Sequence, residues 1–267
     1  MHNVLLARLI VAVGLVAVSS YPGLAKSTDC RNLFQASTPP KLTNAKLEAK
    51  TSSLCFSEFA LLHSGISRTP VWVAEHLAAR RMGVAKKLSR PESTAFHAET
   101  ALTPADRAEL DDYERSGYDR GHMAPNGDMS DAKAQEESFS LANIVPQHAC
   151  SNRATWASIE TAVRSLATDF GEVYVVTGPA FVGSRLKSLN KRVLVPSHLF
   201  KAVYVPAQKQ AGVYWAPNDR SRKWEPISVS RLEELTGVDP FPKLGADIKG
   251  ALMPLPKPRP RQTCRLK

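Results

Sequence analysis

Cysteine is scarce in this chain of 267 residues: Cys30, Cys55, Cys150 and Cys264 are all there are. No two of them form a Cys-x-x-Cys pair. His148-Ala149-Cys150 looks like half of a zinc site, but it has no second half. Acid is also short, with 25 Asp and Glu against 35 Lys and Arg. The formal charge of +10 favours a polyanionic partner: nucleic acid, acidic polysaccharide or an anionic membrane surface. Charge alone does not choose among them. After Val18 no apolar run is long enough to cross a bilayer. No internal repeat and no clear linker divide the chain, which fits one α+β domain.

The N-terminus supplies the one long apolar run. Met1–Arg8 has a positive charge and no acid, Leu9–Val18 is apolar apart from Gly14, and Gly23 and Ala25 stand at −3 and −1 of a cut. This pattern predicts a secretory signal peptide over residues 1–25, and a mature protein that is secreted or periplasmic with no membrane attachment. An even number of cysteines in an exported chain implies two disulfides. The pairing expected is Cys30–Cys55 and Cys150–Cys264, each closure restricting the unfolded chain by roughly 3–4 kcal/mol.

Residues 26–56 are polar and read as an N-terminal arm. Ser57–His63 and Val71–His76 read as a strand pair around a Gly65–Pro70 turn. Leu77–Phe96 reads as a basic loop with Arg80, Arg81, Lys86, Lys87 and Arg90. A short helix is expected from Thr103-Pro104 to about Ser116, and another over Ala132–Leu141. Asn143–Gln147 reads as a link, and Asn152–Phe170 as the best helix, ended by Gly171. Strands follow at Val173–Thr177, Leu199–Pro206 and Gly212–Ala216, then a helix over Arg231–Thr236. Six prolines from Pro240 to Pro260 predict a tail without regular structure, assigned to residues 243–267.

Two stretches carry chemistry. Tyr118-Asp119-Arg120-Gly121-His122-Met123-Ala124-Pro125-Asn126-Gly127-Asp128-Met129 sets an acid, a guanidinium, a glycine and an imidazole in four successive residues, then enters a turn. Asn152, Trp156, Glu160 and Arg164 recur every fourth residue, a spacing that stacks them along one helix face. Phosphodiester cleavage needs a deprotonated water, relief of charge on the phosphoryl oxygens and help for the leaving oxygen. His122, neutral at a reference pKa of about 6.5, suits the first need. Asn152 and Asn143 offer amide oxygens, hard ligands for a divalent cation. Glu160 lies eight residues past Asn152, about 12 Å along an α-helix axis. It is therefore expected to act through water unless the helix begins irregularly. Arg120 and Arg164 are left to grip phosphate. The plainer alternative for Glu160 and Arg164 is an i,i+4 surface ion pair.

With these motifs, SLANIVPQ, NRATWASIETAVR, VYVVTGPAF and VPSHLFKAVY, the sequence resembles the DNA/RNA non-specific endonucleases of the ββα-metal (His-Me finger) superfamily. The likeness runs over about residues 57–242. It implies a ββα-metal finger set in a mixed or antiparallel sheet with flanking helices. It also implies a sugar-non-specific nuclease that uses magnesium, with manganese as a substitute, and leaves 5′-phosphates. Its substrates would be DNA and RNA read with little sequence preference; a homodimer is compatible, and an inhibitor protein is not legible. In this likeness His122 falls on the general base and Asn152 on the direct metal ligand. Arg120, Asn143, Glu160 and Arg164 match positions supporting metal, water and phosphate. Arg90 lies near another phosphate-binding arginine, and Asp119 is a structural anchor. One departure is Ser151-Asn152-Arg153-Ala154, where the family often has a glycine after the Asn-Arg pair. A non-catalytic polyanion-binding export protein and a ββα-metal toxin delivered to rival cells are the competing classes. A cleavage assay with and without chelator separates the first from a nuclease, and a tightly bound neutralising partner would mark the second.

Overall fold

Alternation of side chains along extended segments divides the core into two halves. Along Thr69–Ala78, Val73 and Leu77 point to one core, and Trp72 and Ala74 to the other. The computed structural model describes residues 30–90 and 95–260. The expected signal peptide and Cys264 lie outside those residues.

In chain order the elements are β1 (Lys41–Leu42), β2 (Thr51–Cys55), β3 (Phe59–Ser64), β4 (Thr69–Ala78), α1 (Ala79–Ala85), α2 (Leu110–Tyr113), β5 (Asp119–His122), α3 (Ala132–Ser138) and β6 (Ile144–Gln147). They continue with α4 (Ala157–Phe170), β7 (Glu172–Ala180), β8 (Ser188–Leu189), β9 (Val193–Leu194), β10 (His198–Val205), β11 (Gln210–Pro217), β12 (Glu225–Ile227), α5 (Val229–Thr236), β13 (Val238–Asp239) and α6 (Ala246–Gly250). Seven strands form one antiparallel sheet in the order β12-β11-β10-β7-β4-β3-β2. On one face α4 lays Ile159, Val163 and Leu166 against Val73, Leu77, Val175 and Val203. On the other, Val229 and Leu232 of α5 pack on Phe200, Val213 and Trp215. Separate from the sheet, β5 and β6 pair antiparallel and, with α4, make the two strands and helix of the finger.

Several expectations need correction. The N-terminal segment is not an extended arm: β2 is the outer strand of the sheet, and β1 pairs with β13. The basic loop begins as α1, because Met82 and Ala85 bury on one side of a helical turn. The helix expected from Thr103 shrinks to α2, started by reciprocal capping between Glu109 and Asp112. Asn143–Gln147 is no link but leads into β6, whose four residues are all buried. The tail holds α6, and it docks: Met253 is in the core and Tyr214 Oη donates to the Pro256 carbonyl at 2.9 Å.

Cys30 and Cys55 are bonded, as expected, and tie the first described residue to the end of β2. Cys150 is also disulfide-bonded. Opening the Cys30–Cys55 loop, of sequence separation 25, with a double Cys→Ser variant should cost about 3 kcal/mol, read as a lower midpoint in denaturant.

Candidate active site

The finger is held together by close backbone approach. Gly121 in β5 lies over Gln147, so an added Cβ would come within 2.6 Å of the Gln147 Cβ. Only glycine permits that packing. One residue on, His122 begins the turn, and Asn143 clamps it. Asn143 is fully buried; its Oδ1 accepts from Ala124 N at 2.9 Å, and its Nδ2 donates to the carbonyls of Ala124 and Ser138. Both Nδ2 hydrogens and one Oδ1 lone pair are spent inside the protein, and the amide is sealed from solvent. Asn143 therefore shapes the turn after His122, and the expectation that it offers an oxygen to a cation or joins the chemistry fails.

His122 lies between Phe96 and Phe139, with ring centroids at 5.3 and 4.7 Å. Nε2 is shut off from solvent with no partner, whereas the residue keeps partial exposure. Among the described residues Nδ1 makes no hydrogen bond and is not sealed, so it is the nitrogen turned toward water. Burial first, and then the positive charge of Arg90, push the ring down to about 4. The imidazole is therefore neutral throughout the neutral range. Arg90 itself stacks on Phe139, 4.2 Å from the ring centroid. Replacing Arg90 with alanine removes a cation that disfavours the imidazolium. The ring pKa should rise, and the acid limb of the kcat/KM profile should move to higher pH.

Arg120 sits two residues before His122 on the same side of the β5–β6 ribbon. Its guanidinium is 5.2 Å from the Phe96 ring and 5.8 Å from Tyr113, and Nε is buried without a partner. The fork is thus held by aromatic faces with its hydrogens unspent. An open cleft of about 470 Å³ is lined by Phe96, Tyr113, Tyr118, Arg120, Asp119 and Asn152, among others.

Asn152 enters the cleft from the helix side. Its Nδ2 donates to Asp119 Oδ2 at 2.9 Å, and a carboxylate can only accept, so this bond fixes which way the amide faces. Oδ1 is left turned outward, with no partner among the described residues. Arg153 holds the same carboxylate with two bonds of 2.8 and 2.6 Å. Asp119 is thus an anchor for two helix residues. The helix does begin irregularly: Ser151–Trp156 is a π-helix that passes into α4. Its wider turn puts Ala154, Thr155 and Trp156 all inside. Trp156 was expected on the polar stripe; it is instead in the core, 1% exposed.

Glu160 and Arg164 remain near each other, but neither is a plain surface pair. Burial, offset in part by Arg164 and Lys201, leaves Glu160 raised to about 7. Arg164 donates to Asp128 Oδ1 at 2.7 Å and to Thr161 Oγ1 at 3.2 Å. Asp128, 1% exposed, stands next to last in the quoted motif and went unremarked in the sequence; its signal was an acid just after a Pro-Asn-Gly turn. Two further charged residues were also missed, Glu75 and Lys201, both essentially sealed from solvent beneath this site.

The donor set suits one kind of metal. Among the described residues no three of His, Cys, Asp and Glu converge to hold an ion. A single outward amide oxygen with a carboxylate one helical stretch away fits a hard cation that keeps most of its water. Asn152 would hold it, with Glu160 addressing its water.

Several known nucleases are similar to this chain. The sequence model of the DNA/RNA non-specific endonuclease family matches residues 39–247, starting upstream of Ser57. The mitochondrial nuclease EXOG of Homo sapiens is 32% identical over 218 residues, 73% of this chain, and the chain spans only 58% of that relative's length. Nuclease C1 of Cunninghamella echinulata is 31% identical over 73% of this chain and 84% of its own. A nuclease of Nostoc is 30% identical over 80% and 82%. Among solved structures, EndoG in its complex with the inhibitor EndoGI superposes with a TM-score of 0.69 at 26% identity, covering 82% of this chain and 94% of that one. The chain belongs to the DNA/RNA non-specific endonuclease family.

Proposed function

We propose that the protein is a secreted or periplasmic, magnesium-dependent endonuclease that hydrolyses phosphodiester bonds in both DNA and RNA and leaves 5′-phosphate ends. The observation that carries this reading is a pair of unspent atoms, one on the β5 strand that also carries Arg120 and Asp119 of the cleft, the other on the helix across it. His122 Nδ1 is a neutral base open to water, and Asn152 Oδ1 is aimed outward by Asp119. The Cys30–Cys55 disulfide and the N-terminal leader pattern support export. Manganese is the expected substitute for magnesium, since both favour oxygen ligands. A homodimer is compatible with this reading, which does not depend on it.

His122 Nδ1 takes a proton from the attacking water as the water's oxygen bonds to phosphorus and the bond from phosphorus to the 3′ oxygen breaks, the 3′ oxygen taking a proton from solvent and the phosphate staying on the 5′ side. Arg120, with its guanidinium hydrogens free, and Arg164, with those not held by Asp128, bind the non-bridging phosphoryl oxygens. Glu160 orients water in the cleft, and Arg90 contacts a neighbouring phosphate. When bound at Asn152, the cation supplies Lewis-acid relief of charge at the phosphoryl and leaving oxygens. None of these contacts needs a base edge, so sequence preference should be small and added salt should inhibit.

The test is digestion of supercoiled plasmid and of ribosomal RNA by purified mature protein. Both should be degraded with magnesium, neither with chelator, and the ends should accept ligation without a kinase. DNA and RNA left intact with magnesium and manganese alike would overturn the proposal.

A further inference from the structure

The sheet face beneath the finger is apolar except in one place. Row by row it presents Val73, Leu77, Val173, Val175, Leu199 and Val203 to α4, and among them stand Glu75, Thr177 and Lys201. All three are sealed, at 0–1% exposure. Burying a lysine so deeply is costly unless its charge is matched, so the position demands an account.

Lys201 Nζ is where four separate parts of the molecule meet. It donates to Thr177 Oγ1 of β7 at 2.7 Å and lies 3.9 Å from Glu75 Oε2 of β4. It reaches the Met123 carbonyl at 3.5 Å, the residue directly after His122. It also lies 5.9 Å from the ring of Trp156, the last residue of the π-turn that carries Asn152. Among the described residues both Glu75 oxygens lack a hydrogen bond, and the lysine is the cation 3.9 Å from that carboxyl. The other charged groups around this cluster are Asp128, Glu160 and Arg81.

We propose that Lys201 is a positioning residue for the nuclease reaction. From the rigid centre of the sheet, its ammonium sets the His122 loop at its working distance from the helix bearing Asn152 and Glu160. The inference rests on the activity proposed above. A lysine serving only to neutralise Glu75 would need neither the Met123 carbonyl nor the Trp156 ring. The unbranched side chain from β10 passes under both halves of the finger, which are also joined by Asp119 to Asn152 and Arg153 and by Arg164 to Asp128.

A pair of variants separates positioning from mere support. In Lys201→Met with Glu75→Gln both ionisable groups go and both shapes stay, a change that buried ion pairs often tolerate. The melting temperature should stay within a few degrees of wild type, while kcat on plasmid DNA falls about 10-fold or more and KM is unchanged. Thr177→Val, which removes only the shortest partner of Nζ, should lower kcat several-fold in the same manner. In metal-free protein the His122 imidazole nitrogen resonances should shift in both variants. That readout stands whether or not the wild-type chain cleaves nucleic acid. Wild-type kcat and unshifted His122 resonances in the double variant would overturn the proposal. If the double variant fails to fold, Thr177→Val decides: wild-type kcat there overturns it equally.

Discussion

His122→Ala should reduce kcat about 10²–10⁴-fold on DNA and RNA alike and leave KM near its wild-type value. The split follows from where the ring sits. In the proposed mechanism Nδ1 faces the water that attacks, not the phosphate, so its loss removes an interaction made as the proton moves. In that mechanism phosphate is bound by Arg120 and Arg164, which the substitution leaves in place. Stability should change in a definite sense with pH. The folded ring, at about 4, lies below its ordinary 6.5. Below pH 6.5 the unfolded chain takes up a proton that the folded chain refuses, so the wild type loses stability as pH falls toward 4. The alanine variant lacks that term and should lose less over the same window, even though it forfeits packing between Phe96 and Phe139. Steady-state kinetics with both nucleic acids, together with denaturation at pH 7 and pH 5, checks both halves. A variant that keeps wild-type kcat would remove His122 from the mechanism.

The fold was legible where the apolar period was clean. VYVVT in β7 and the alternating run of β10 read directly as strands, and the Ser57–His63 and Val71–His76 pair came within a few residues of β3 and β4. Failure came where tertiary packing overrode local pattern. Ile144–Gln147 contains a proline and follows a tight turn, so nothing local marks it as a strand; pairing with Asp119–His122 makes it one. The i,i+4 stripe from Asn152 assumed 3.6 residues per turn, and the π-turn broke that assumption at Trp156. In the candidate site, His122, Arg120 and Asn152 stood out in the sequence because their chemistry is unusual for their surroundings. Asn143 was misread because a residue type says which bonds it can make and not which it has already spent. Glu75 and Lys201 were invisible for the opposite reason: in sequence they pass for ordinary solvated charges, and only the sheet register turns them inward.

The second large effect concerns the bond that aims the amide. Asn152→Ala removes the outward oxygen altogether, and the loss of activity should not be recovered at high magnesium. Asp119→Ala keeps that oxygen but frees the amide to rotate, so the loss should be about 10–100-fold and should appear mainly as a higher half-saturating magnesium concentration. Excess magnesium should recover much of it. Asp119 also anchors Arg153, so its removal releases an arginine at the helix entry. Arg153→Ala is the control, because it leaves Asn152 bonded to Asp119 while giving up the ion pair, which is largely exposed on the arginine side and therefore contributes little. Its magnesium dependence should match the wild type. If Asp119→Ala and Arg153→Ala behave alike, the carboxylate serves the helix entry as a whole and does not aim Asn152. If magnesium rescues Asp119→Ala but not Asn152→Ala, the direction of one amide group is what makes this helix a cation site.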